Sequence, residues 1–187
     1  MNAGRRTVTV TVLAPVLVVL MAAAAFAFWK TTGSGSGNAT LATTPWNDNV
    51  ADTTAPTVAA NCPTASASYA TGNSGSSSWG HFCGTTATVT GTDNVAVVSA
   101  AIKVTHGTAC FTGTAFTTAQ CTAAGPSGYP AGYIAASGTS GSPSSWSVAL
   151  TQARLATAGT GSYRLDAQAK DAAGNVSNTL TVNFTTT

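Results

Sequence analysis

The stretch GSYRLDAQAKDAAGNVSNTLTVNF, Gly161 to Phe184, decides how this chain folds. Tyr163, Leu165, Ala167 and Ala169 alternate with Arg164, Asp166, Gln168 and Lys170. A repeat of two marks a strand with one buried and one wet face. Asp171-Ala172-Ala173-Gly174-Asn175 follows, a run of turn formers. Leu180, Val182 and Phe184 then alternate with Thr181 and Asn183. Two alternating runs about a Gly-Asn turn predict a β-hairpin. Its apolar face needs more sheet to pack against, and the upstream chain must supply it.

The same period recurs upstream. Pro56 suits the first residue of an edge strand, followed by Thr57 and Val58. Thr85 to Thr90 places Ala87 and Val89 inward, and Gly91-Thr92-Asp93-Asn94 turns the chain. Val95 to Val104 is the next strand, with Val98, Ala100, Ile102 and Val104 as its inner face and Lys103 outside. Trp146, Val148 and Leu150 form another, its rings and branches directed to the core. Two Ser/Gly/Thr-rich insertions, Thr64 to Gly80 and residues 105–144, interrupt the pattern. Gln152 to Ala158 has room for one helical turn at most. About seven strands in roughly 130 residues predict an all-β, antiparallel two-sheet sandwich over residues 56–187.

Composition narrows the function. Charged residues are 6% of the 187, and Glu is absent. Leaving out Arg5 and Arg6, five basic residues face five Asp, so the folded part is neutral. No basic stripe exists for nucleic acid. Cys62, Cys83, Cys110 and Cys121 form no CxxC pair, and His81 and His106 lack ligand spacing, which argues against zinc. Four Cys behind an export signal predict two disulfides, with three connectivities open. Cys62–Cys83 and Cys110–Cys121 is the preferred set, because each closes a loop-rich excursion. The chain has no G-x-S-x-G elbow and no H-E-x-x-H. With two His and five Asp as its acid–base stock, it reads as a non-enzyme.

The N-terminus carries the address. Arg5-Arg6 precedes an uncharged stretch from Thr7 to Trp29, and Ala25-Phe26-Ala27 fits a cleavage site. Residues 1–30 are thus an apolar export helix, cut after Ala27 as a signal peptide or kept as a membrane anchor. Both place the remainder outside the cytoplasm, tethered transiently or permanently, with membrane contact only through residues 7–29. Residues 31–55 form a flexible linker, Gly and Ser alternating from Gly33 to Gly37. Trp46 is its one large apolar residue, expected to pack on the base of the domain.

Two resemblances follow. Ala27-Phe28-Trp29-Lys30-Thr31-Thr32-Gly33 to Leu41 resembles the start of bacterial surface proteins with SipW-type signal peptides, the camelysin-like group. Further on, Asp52-Thr53-Thr54-Ala55-Pro56, Gly91-Thr92-Asp93-Asn94, Trp146-Ser147-Val148-Ala149-Leu150, and Gly161-Ser162-Tyr163 with Asp171-Ala172-Ala173-Gly174-Asn175-Val176-Ser177 occur in order. Over residues 52–187 this resembles the Ig-like and fibronectin-III-like modules of bacterial surface proteins. The four Cys and two long insertions depart from that pattern.

The resemblance implies an Ig-like sandwich acting as a structural or adhesion module, its partner a cell-surface protein or glycan. It implies a tyrosine corner, with the Tyr163 hydroxyl on backbone near Leu155–Ala158. The competing reading is a secreted carbohydrate-binding module, with Trp79, Tyr129 and Tyr133 of the insertions as exposed ligand contacts. No cofactor is required. In Ig topology, however, Asp52, Asp93 with Asn94, and Asp171 with Asn175 fall at one pole of the sandwich. Hard oxygen ligands from separate loops suit Ca²⁺; the same residues also make Asx turns that need no metal.

Overall fold

The computed structural model describes residues 51–72 and 75–187. The export segment (1–30), Trp46 and the rest of the linker up to residue 50 lie outside the described residues. In chain order the elements are β1 (Thr57–Cys62), β2 (Ser68–Tyr69), α1 (Trp79–Phe82), β3 (Ala87–Thr92), β4 (Val97–His106), β5 (Ala109–Phe111) and β6 (Phe116–Thr117). There follow α2 (Thr118–Thr122), β7 (Ile134–Ala135), β8 (Ser137–Gly138), β9 (Ser144–Val148), α3 (Gln152–Ala158), β10 (Gly161–Asp171) and β11 (Leu180–Thr186).

Two sheets pack face to face. One runs β1-β3-β9-β8; the other runs β2-β11-β10-β4-β5-β6, with β7 also on β4. The hairpin forms as its alternation requires: Tyr163 lies opposite Phe184, Leu165 opposite Val182, and Ala167 opposite Leu180. The other edge of β10 pairs with β4, from Tyr163–His106 to Asp171–Val97. β10 is therefore the central strand of its sheet, which explains its near-continuous apolar inner face. Ala87, Val89, Trp146 and Val148 meet Ile102, Val104, Leu165, Val182 and Phe184 in the core between the sheets.

One expected inner residue is placed differently. Ala100, Ile102 and Val104 are buried, but Val98 is 40% exposed and Val97 is fully buried. The register between β4 and β10 shifts between Lys170 and Asp171. A one-residue slip moves a side chain to the opposite face of a sheet, so Val97 takes the inward place.

The insertions are part of the core. Between Cys62 and Cys83, α1 is capped by Ser78, whose side chain accepts from the His81 N–H. The helix drives Trp79 inward, where its Nε1 donates to the Leu150 carbonyl at 2.8 Å. Tyr69 and Phe184 flank the indole, with ring centroids 5.2 and 5.6 Å away. The second insertion lays Tyr129 and Tyr133 near the outer face of β4, and the Tyr129 hydroxyl lies 2.9 Å from the Ser99 hydroxyl. On that outer face Ala101 is fully buried.

α3 is longer than the single turn expected. Thr151 caps it by accepting from the Arg154 N–H, and Leu155 anchors it in the core. It ends at Gly159, whose φ of 106° lies outside the range that L side chains favour. The Tyr163 hydroxyl then donates to the Gly159 carbonyl at 2.6 Å and lies 3.4 Å from the Leu155 carbonyl. The corner anticipated for Tyr163 thus forms, reaching Leu155 within the expected range and Gly159 one residue beyond it.

Candidate functional site

Asp52, Asp93 and Asp171 meet at the pole where β10 ends. One carboxylate oxygen from each lies within 4.8 Å of the others. Each Asp reaches the pole for a local reason. Asp52 Oδ1 accepts from the Thr54 N–H at 3.0 Å and from Asn94 Nδ2 at 3.1 Å. Asp93 Oδ2 accepts from the N–H groups of Val95 and Ala96 at 3.0 and 3.2 Å. Asp171 Oδ1 accepts from the N–H groups of Gly174 and Asn175 at 2.7 and 2.8 Å, across a turn in which Gly174 has φ 97°. These are Asx turns. Asn175 ties the pole together: its Nδ2 donates to Asp171 Oδ2 at 2.8 Å and to the Asp52 carbonyl at 2.7 Å.

The turns use only part of the oxygen set. Asp52 Oδ2 and Asp93 Oδ1 are buried atoms with no hydrogen-bond partner among the described residues. Asp171 is buried, and burial alone would raise its pKa. The Asn175 side chain and the backbone N–H groups of Asn175, Gly174 and Ala173 outweigh burial and hold the carboxyl below its ordinary value. It therefore stays ionised beside two other carboxylates. Among the described residues no salt bridge reaches the three; the ion pair present joins Arg164 to Asp166 at 2.8 Å. Lys170 points away, its Nζ 3.5 Å from the Ser127 carbonyl. A partly buried, acceptor-rich site of three carboxylates has the donor chemistry for a hard divalent cation.

The other candidates are placed differently. Trp79 is fully buried and Tyr133 is 6% exposed, so neither can offer a ring face to a ligand. Tyr129 is half-buried, held by Ser99. Burial raises the phenol pKa of Tyr129, against the bond from Ser99, and of Tyr133, against the bond to Thr179. The expectation of an exposed aromatic row is therefore corrected, because these rings serve packing. His81 stands exposed beside Phe82. His106 stacks on Tyr163 at 4.1 Å, and its Nδ1 lies 3.2 Å from the Ser162 carbonyl. Neither histidine has a described hydrogen bond to a carboxylate.

Cys62 is bonded to Cys83 and Cys110 to Cys121, with Cα separations of 5.5 and 5.0 Å. No free cysteine is present among the described residues. Two disulfides point to an extracytoplasmic protein. Fold and site together define a disulfide-tied β-sandwich with an acidic pole. No protein-family model matches the chain, and neither curated proteins nor solved structures give a significant match.

Proposed function

We propose that the chain is an exported, non-catalytic Ig-like module of a bacterial surface or matrix, whose N-terminal pole holds Ca²⁺. The observation that carries the reading is the pair of dry, unpartnered carboxylate oxygens on Asp52 and Asp93 beside an ionised Asp171. Asx turns account for the other oxygens, but not for these. Asp52, Asp93 and Asp171 would hold the ion, which would offset the repulsion among them. Asp52 precedes β1, Asp93 lies in the turn after β3, and Asp171 is the last residue of β10. A cation there would tie the segment that enters β1 to the turns after β3 and β10, as a spacer role needs.

The strand orders support the Ig-like part. β1-β3-β9-β8 matches the ABED order of an Ig sheet, and β11-β10-β4 the GFC order. The non-catalytic part rests on the sequence, whose acid–base stock is two His and five Asp and which carries no G-x-S-x-G or H-E-x-x-H. The buried Trp79 and Tyr133 weigh against the carbohydrate-binding alternative.

A thermal melt of the exported protein with Ca²⁺ and with chelator tests the metal. Calcium should raise the midpoint by linkage, and Asp93→Ala and Asp171→Ala should abolish the rise. Affinity should be millimolar, as in other extracellular calcium modules. Coincident wild-type melts would leave these residues as turn formers alone.

A further inference from the structure

The end of the sandwich opposite the acidic pole carries a second chemistry. There α3 leads through Gly159 into β10, and the loop of the β5–β6 hairpin lies alongside. Thr151 caps α3, and Leu155 fixes it in the core. Residues four apart share one side of a helix, so Arg154 and Ala158 stand together on the side that faces the hairpin. The hairpin is fixed as well. The Thr112 hydroxyl accepts from the N–H groups of Thr114 and Ala115 at 3.2 and 3.0 Å. Phe116 packs on Phe111 and Tyr163, with ring centroids 5.1 and 5.7 Å away. Cys110 of β5 is tied to Cys121.

Between helix and hairpin lies a hollow of about 260 Å³. Phe116, Ala153 and Ala158 give it an apolar lining, and the exposed Thr114 and Thr157 place hydroxyls at its rim. Arg154 is its one charged lining residue. The guanidinium is held in place: it lies 5.6 Å over the Phe111 ring, and one of its nitrogens donates to the Ala149 carbonyl. Its remaining N–H groups have no acceptor among the described residues. No described carboxylate pairs with it either, since the ion pair present joins Arg164 to Asp166. A guanidinium presents several donors in a planar fork that matches a carboxylate, and most of this fork is unused.

We propose that this hollow binds a small carboxylic acid with an apolar body, the size of one aromatic ring or a short acyl chain. The carboxylate accepts from the free N–H groups of Arg154, which are charge-assisted donors. The apolar body covers Phe116 and Ala158. Charge and lining select this class together. An anion without an apolar body leaves the lining in water, and an apolar molecule without charge leaves the fork unpaired. A sugar acid sets hydroxyls against Phe116 and the alanines, where they find no partner. The volume sets the size, because drug-sized ligands occupy about 300–1,000 Å³. Helix, hairpin and guanidinium are already in place, so little ordering opposes binding. The hollow lies at the end of β10 away from Asp171, and the inference does not rest on the calcium reading.

Nuclear magnetic resonance titration of the exported protein, in calcium-free buffer at constant ionic strength, tests it with benzoate, acetate and benzyl alcohol as probes. Benzoate should shift the amide signals of Thr114, Phe116, Arg154 and Thr157 saturably. Acetate lacks the ring and benzyl alcohol lacks the charge, and each should bind at least about tenfold more weakly. Arg154→Gln should weaken benzoate by about tenfold or more. Arg154→Lys keeps the charge without the fork and should fall between Arg154→Gln and wild type. Ala153→Glu, at an exposed position, leaves the Arg154 contacts to Ala149 and Phe111 in place and sets a competing carboxylate beside the guanidinium. It should abolish benzoate binding while its amide spectrum stays native elsewhere, and it decides the matter where Arg154→Gln does not fold. Benzoate that leaves these amides unmoved overturns the proposal. So does equal affinity for benzoate and acetate, or benzoate binding that Arg154→Gln or Ala153→Glu leaves unchanged.

Discussion

Replacing Trp79 by alanine separates a core tryptophan from a ligand-binding one. The indole is fully buried between Tyr69 and Phe184, and its N–H is bonded to the Leu150 carbonyl. A tryptophan buries roughly 150–250 Å², which at about 25 cal/mol per Å² corresponds to about 4–6 kcal/mol of transfer free energy. That is an upper figure, since the unfolded chain already hides part of the ring. Large aromatic to alanine changes cost about 3–5 kcal/mol. The orphaned Leu150 carbonyl adds about 1 kcal/mol. The expected loss is therefore about 4–6 kcal/mol, or about 12–24 °C in midpoint for a domain of this size. Trp79→Phe keeps a ring and loses the bond, so its cost should be about 1–2 kcal/mol. Urea titration followed by far-ultraviolet circular dichroism measures both without depending on indole fluorescence. An alanine variant within about 0.5 kcal/mol of wild type, as for a surface position, would refute the packing argument.

Four further outcomes follow from the same structure. Tyr163→Phe removes the donor to Gly159, whose carbonyl keeps Thr186 Oγ1 at 3.2 Å; urea titration should show a loss of about 1 kcal/mol. Replacing Cys110 and Cys121 together by serine opens an 11-residue separation, and chain entropy puts the cost at about 3 kcal/mol by the same assay. Burial raises Tyr129, Tyr133 and Tyr163 above the ordinary phenol value of 10.0. The folded chain thus holds those protons longer than the unfolded chain. Their stabilisation is complete below pH 10.0 and is lost as pH climbs through the folded values. Phenolate absorbance should lag in the native protein and jump on unfolding. The mature exported chain should begin at Phe28, by N-terminal sequencing, and a bulky residue at Ala27 should leave it membrane-bound.

The strands were legible wherever one face meets water. Alternation along Tyr163–Lys170 and Leu180–Phe184 maps directly onto β10 and β11, because a period of two has one structural meaning in a half-buried sheet. The pattern misled at Val97 and Val98, where both residues are apolar and either could face inward. Only the partner strand decides, and the slip at Lys170–Asp171 is invisible in either strand alone. The short strands β2, β5, β6, β7 and β8 were illegible for another reason. Two or three residues carry no period, and their pairing is imposed by neighbours.

The acidic pole and the aromatics show why sites divide the same way. Asp52, Asp93 and Asp171 sit in turns, and turn chemistry is written locally in Asp, Asn and Gly. Once the strand order is known, the loops that share an end are known, so the convergence of the three carboxylates was readable. Trp79, Tyr129 and Tyr133 sit in Ser/Gly-rich insertions whose composition suggests solvent. No local signal says that such an insertion folds back onto the sheet. The available clue was stoichiometric. A sandwich whose visible strands contribute mainly Ala and Val has too little apolar volume for its core, and large rings must come from elsewhere. The insertions hold those rings, and Tyr69, Trp79 and Tyr133 are spent on packing. Among the described residues the carboxylates that gather are those of the acidic pole, written in turns, while the rings of the insertions go to the core.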